Sequence, residues 1–207
     1  MIQRLLQFFM MLLLGWGGFA ANLSAAEFAR VERVHGEVWV ERDGKRQELK
    51  LADNVVRDER VHTGPQSRLQ LALTTGGSLT LGENASLRLT QSLEASAKTY
   101  NRLDVRGAFR MVSAAAQMPR KQEWILNTPV ATIGVRGTDF WGGPIDGALD
   151  VMVLSGAVEV MNDAGHVMLK PSQGTVVRDQ VTAPSVPVIW GDSKVQRALS
   201  MVAFPGS

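Results

Sequence analysis

Apolar and polar residues alternate with a period of two along most of the chain, the pattern of half-buried strands rather than of amphipathic helices. Val34, Gly36, Val38 and Val40 alternate with His35, Glu37, Trp39 and Glu41 and predict one strand. Asp43-Gly44 reads as a hairpin turn, and the returning segment offers Leu49 and Leu51 as inward residues. Leu69, Leu71 and Leu73, then Thr75-Gly76-Gly77-Ser78, then Leu79 and Leu81 form a strong hairpin signal. Leu87 and Leu89 continue the meander, and Gln91 to Asn101 reads equally as a loop or a short helix. Leu103, Val105, Phe109 and Met111 predict a strand carrying Arg102, Arg106 and Arg110 on its other face. A loop is expected over Ser113–Lys121, a strand at Trp124 and Leu126, and a turn at Gly142-Gly143-Pro144. Strands follow at Leu149–Val153, Val158–Val160, Val167–Leu169 and Val176–Val177. The form Gly-x-apolar-x-apolar recurs at Gly36, Gly107 and Gly156 with unequal spacing, an echo of similar hairpin modules rather than a solenoid repeat. Many short strands with Gly and Pro punctuation predict an all-β fold: an antiparallel β-sandwich or rolled sheet with a short C-terminal extension.

The two ends break this pattern. Arg4, an apolar run from Leu5 to Leu14, and small residues up to Ala26 have the layout of a secretory signal, with cleavage expected after Ala26. This assigns residues 1–26 to a signal peptide, 27–183 to the β domain and 184–207 to a linker and short terminal segment. The expected location is the periplasm, with no stable membrane span after cleavage. In the tail, Pro184, Pro187 and Gly191 suggest an extended linker, and Asp192 or Ser193 would cap a short helix. Two readings stay open there: a tail folded back on the domain, or a docking segment with Trp190 and Phe204 as anchors.

The 207 residues carry a formal net charge of +2, and removing Arg4 with the leader leaves the remainder close to neutral. That excludes the electrostatic footprint of a general nucleic-acid binder. The absence of cysteine excludes disulfides, thiolate metal sites and cysteine nucleophiles. His35, His62 and His166 are isolated, and no nucleophile elbow or phosphate loop is present, so no catalytic residue, cofactor or metal site is assigned. The loose acidic cluster Asp139, Asp146 and Asp150 is the one place for a paired acid-base site, and the arginines Arg102, Arg106 and Arg110 form a candidate surface for an acidic partner, glycan or headgroup.

The most informative stretch is Thr128 to Phe140, an apolar run interrupted by Arg136-Gly137-Thr138. An arginine in an apolar run has to be paired or reach water. The expectation is a structural tie: Arg136 forked onto Asp139, Asp150 or loop carbonyls, with Gly137 letting the backbone close around it. Thr128-Pro129, Val135-Arg136-Gly137-Thr138 and Phe140 together resemble the hallmark of the FecR-type domain. The resemblance extends to Gly36-Glu37-Val38, Val61-His62-Thr63-Gly64, Ser67 to Leu71, Gly77 to Leu81 and Leu154 to Val160, and so runs from about Val34 to Val177. It implies a periplasmic, β-rich, non-catalytic domain, similar to regulators that relay a signal from an outer-membrane siderophore transporter to a cytoplasmic sigma factor. With an export leader and no cytoplasmic segment expected ahead of it, the resemblance implies a stand-alone sensor, scaffold or binding module that recognises a protein or envelope polymer. Two alternatives accompany this reading: a component of a signalling relay acting through a separate membrane partner, and a glycan-active enzyme.

Overall fold

A computed structural model describes residues 27–95, 98–113 and 121–206; the expected leader and most of the loop expected at Ser113–Lys121 lie outside the described residues. The first strands are β1 (Glu27–His35), β2 (Val38–Arg42), β3 (Lys45–Glu48), β4 (Asn54–Val56), β5 (Arg60–Thr63) and β6 (Arg68–Leu73). The middle of the chain forms β7 (Gly77–Leu81), β8 (Ser86–Ala95), β9 (Lys98–Arg106), β10 (Phe109–Ser113), β11 (Lys121–Asn127) and β12 (Thr132–Val135). The remainder is β13 (Asp139–Ile145), β14 (Ala148–Ser155), β15 (Val158–Asn162), β16 (Gly165–Leu169), β17 (Gln173–Val177), β18 (Val188–Ile189) and the helix α1 (Asp192–Ser200).

These strands build two sheets of nine. Sheet A runs β18-β17-β14-β13-β10-β7-β6-β1-β4, and sheet B runs β16-β15-β12-β11-β9-β8-β5-β2-β3. The expected sandwich is therefore observed. All pairs are antiparallel except β9 with β11, which run parallel. The alternating apolar residues of both sheets meet in one core that extends from Phe28 to Val177.

The chain does not complete one sheet before starting the other. It crosses between them repeatedly, so both sheets grow side by side along the sandwich. The recurring glycines mark these crossings. Gly36 separates β1 in sheet A from β2 in sheet B, Gly107 separates β9 from β10, and Gly156 separates β14 from β15. At Gly156 φ is +81°, and an added Cβ would lie 2.5 Å from the carbonyl oxygen of Gly137, so both conformation and space require glycine there.

Several expectations are corrected. The single strand expected across Val34–Val40 is two strands in different sheets. Gln91 to Asn101 is neither loop nor helix but belongs to the long β8–β9 hairpin. Leu49 is buried, whereas Leu51 is 67% exposed, because a turn at Leu51 and Ala52 swings it outward. Gly142-Gly143-Pro144 is not a turn but the middle of β13; the turn follows at Asp146-Gly147. The two glycines are there for space: a Cβ on Gly142 would lie 2.5 Å from the Phe109 ring, and one on Gly143 2.8 Å from Trp141.

The tail is folded back. A second apolar cluster on the outer face of sheet A joins Trp141, Ile145 and Met152 to Trp190, Ala198 and Val202. The N-cap of α1 is Gly191 rather than Asp192 or Ser193, and no side chain caps the helix.

Candidate functional site

The hallmark stretch performs a sequence of distinct local tasks. Thr128–Ala131 is the turn between β11 and β12. The Thr128 hydroxyl accepts hydrogen bonds from the amides of Val130 (3.3 Å) and Ala131 (2.9 Å) and donates to the Ala131 carbonyl (2.8 Å), which leaves Pro129 exposed on the crest. Val135 is buried in sheet B. The chain then bends at Arg136 and Gly137 and enters sheet A, where Phe140 packs edge-on against Phe109 at 5.7 Å.

Arg136 is not the tie. Its side chain is exposed and forms no ion pair with any described residue. The carboxylates expected to receive it are engaged elsewhere. Asp139 holds Arg110 through two bonds of 2.9 and 2.8 Å, and Asp150 holds Lys194 of α1 at 2.5 Å. The bend that carries the chain between sheets turns the arginine to solvent and buries the next backbone groups instead. Thr138 makes the tie. Its hydroxyl donates to the carbonyl of Ala157 at 2.9 Å, and its amide donates to the Ser113 hydroxyl at 2.9 Å. The crossings at Gly137 and Gly156 are thereby locked together.

The arginine row is divided. Arg102 and Arg106 are exposed on β9 in sheet B. Arg110 lies beyond the Gly107 crossing, on β10 in sheet A, half-buried against Asp139. The hydrogen bonds it donates to Asp139 raise its pKa, opposed by burial. Trp190 and Phe204 are not exposed anchors. They are 7% and 8% exposed, with Trp190 against Trp141 and Phe204 beneath the guanidinium of Arg33. Among the described residues no group of three potential metal ligands occurs. Asp139 and Asp150 each face their own cation and do not form an acid-base pair. Burial raises the pKa of Asp150, opposed by Lys194.

The outer face of sheet B presents a surface that sequence reasoning missed. Strand register aligns Arg102, Ile125, Gly134, Glu159 and Met168 in one row across five neighbouring strands. Ile125, Gly134, Glu159 and Met168 of this row floor a shallow groove of about 410 Å³ whose lining also includes Tyr100, Glu123 and Arg136. Gly134 lies at its centre, and no neighbour crowds it: an added Cβ would meet nothing nearer than Glu159 at 4.0 Å. Its missing side chain opens the groove instead. Met168 is 51% exposed at the far end. The alternation in each strand marks these residues as outward, but their alignment depends on register between strands far apart in sequence. The groove offers a cation, apolar area, two carboxylates and the Tyr100 phenol.

The fold is an all-β sandwich with an open groove on the outer face of sheet B. The model of one family, FecR (FecR protein), matches residues 59–159. That match covers the hallmark stretch and most of the row on sheet B. Two crystal structures of a candidate anti-sigma factor from Parabacteroides distasonis share the fold, each with a TM-score of 0.55 and 18% identity over 68% of this chain. The matched part spans 64% and 63% of those two chains. No curated protein sequence matches. Among the described residues no helix is long and apolar enough to cross a membrane.

Proposed function

We propose that this chain is a non-catalytic periplasmic sensor or scaffold module, exported by its leader and recognising a protein partner or envelope component through the outer face of sheet B. The division into a leader over 1–26, a β domain over 27–183 and a terminal segment over 184–207 is part of this reading. The observation that carries it is the position of Arg136. The most distinctive residue of the hallmark lies exposed beside an open groove, although nothing in the fold requires an arginine there. Exposed Met168 and partly exposed Ile125 supply apolar area, and Arg102 and Arg136 supply charge to steer an approaching partner.

A photo-crosslinking residue placed at Met168 in the exported chain tests this in cells. A defined adduct is expected, lost in Arg136→Glu and absent when the crosslinker is moved to Val181, an exposed residue outside the groove. An adduct that survives Arg136→Glu would refute the assignment of this face. The resemblance in fold to a candidate anti-sigma factor favours a second reading, a relay component acting through a separate membrane partner. That reading predicts altered transcription of an uptake or stress operon on deletion of the gene, and an unchanged transcriptome would remove it.

A further inference from the structure

At one end of the sandwich, beneath the Thr128–Ala131 turn, the ends of the two sheets separate around a cleft of about 230 Å³. Its walls come from Pro129 and Val130 on the sheet B side and Pro144 and Leu149 on the sheet A side, with Arg106 and Arg178 beside them. An adjoining cavity of about 160 Å³ shares Arg106 and Pro129 and adds Arg60. We propose that this cleft binds a small amphipathic carboxylate, its apolar body between Val130 and Leu149 and its charge on Arg106 and Arg178.

The argument rests on charge, shape and donor chemistry. Arg60, Arg106 and Arg178 form no hydrogen-bonded ion pair with any described residue, while Asp104 lines the cavity beside Arg60 and Arg106 and Asp179 lies close enough to Arg178 for their charges to interact. Asp104 accepts from the Asn127 amide at 3.0 Å, and Asp146 is paired with Arg197 at 2.8 Å. Asp179 caps its own turn through the amides of Val181 and Thr182, which lowers its pKa, with the Thr182 hydroxyl as the largest cause. Three guanidinium groups set against the charges of Asp104 and Asp179 leave one positive charge in excess beside an apolar wall, and a monoanion with an apolar body complements both. A guanidinium fork matches a carboxylate directly. The same fork also fits phosphate, but a single excess positive charge matches a carboxylate monoanion better than a phosphate dianion. The volume equals that of roughly seven or eight waters, which limits the body to about one substituted ring. This site lies at the end of the sandwich, not on the outer face of sheet B, and does not depend on the reading of that face.

The test is an NMR titration of the chain without its leader using para-tert-butylbenzoate, with the neutral para-tert-butylbenzamide as control. Saturable shifts are expected at residues 128–130 and 146–149, with the amide weaker by roughly tenfold or more, the value of one charge-assisted hydrogen bond. Arg106→Gln and Arg178→Gln change exposed side chains, and each is expected to remove most of that preference without moving the melting temperature. Equal binding of the two probes, undiminished binding in both arginine variants, or no saturable shift with the benzoate would each overturn the proposal.

Discussion

Substituting Gly174 by alanine should release the C-terminal tail while leaving the sandwich folded. An added Cβ at Gly174 would lie 2.2 Å from Trp190 Nε1, 2.4 Å from its Cε2 and 2.8 Å from the carbonyl oxygen of Val151. A shift of a few tenths of an ångström in β17 relieves the contact with the carbonyl, but not those with the indole, so the indole has to leave. Trp190 is 7% exposed, packed edge-on to Trp141 with Lys194 Nζ 4.2 Å from its ring centroid. A buried tryptophan removes ~150–250 Å² from water. At ~25 cal/mol per Å² its seat stabilises the docked tail by about 4–6 kcal/mol, an upper estimate because a free tail retains some burial. The main core is a separate cluster and keeps its packing. Hydrogen exchange read by mass spectrometry distinguishes these parts. In Gly174→Ala the amides of α1 should lose about two orders of magnitude of protection or more, while β6, β7 and β10 keep theirs. Trp190→Ala should give the same map. Wild-type protection of α1 in Gly174→Ala would refute the role of the glycine as the seat of the indole.

Arg136→Leu should leave thermal stability within ~0.5 kcal/mol of wild type, as an exposed substitution does, yet lose the Met168 adduct; a collapsed melting temperature would restore the buried-tie reading. Thr138→Val strips the Ala157 carbonyl of its hydroxyl donor and should cost ~1–3 kcal/mol in urea unfolding. Lys194→Met leaves the buried Asp150 carboxylate unpaired and should destabilise by ~3–5 kcal/mol, whereas Asp150→Asn lets Lys194 reach water and should cost little; equal losses would contradict the asymmetry. Burial holds the Asp150 pKa above its unfolded value of 3.8, so the folded chain takes up the proton more readily. Stability from this group is then fully present below that value and lost as pH rises through the folded pKa, and Asp150→Asn should flatten that slope in a pH series of melts.

The core was legible because its signal is local. Leu69, Leu71, Leu79, Leu81, Val158 and Val160 are each buried as their alternation predicts. The hairpins at Asp43-Gly44 and Gly76-Gly77 were legible for the same reason, since all four residues take positive φ. Strand alternation does not reveal which sheet a strand joins. Arg102, Arg106 and Arg110 keep perfect spacing through Gly107, yet the crossing there sends Arg110 to the opposite sheet. Likewise Gly142-Gly143-Pro144 has turn composition, but the Phe109 ring and Ala108 occupy the space that side chains would need, so the glycines serve packing within a strand. The row from Arg102 to Met168 was not legible at all, because its members come from five strands whose register is fixed by the whole sheet.

The hallmark stretch combines two kinds of requirement that a linear motif cannot separate. Val135, Gly137, Thr138 and Phe140 are fixed by the crossing between sheets: two pack in the core, one bends the backbone, and one ties the crossing to Ser113 and Ala157. Pro129, Gly134 and Arg136 answer to no comparable demand. Pro129 is on an exposed crest, Gly134 has open space where a Cβ would go, and Arg136 faces solvent. If the motif served folding alone, these outward positions would accept substitution without consequence. Gly134→Leu separates the two requirements, because it fills the groove without touching the core. The fold should remain intact, with melting within ~0.5 kcal/mol of wild type, while the Met168 adduct disappears. An intact adduct in that variant would mean that the hallmark records only how the chain crosses between its sheets.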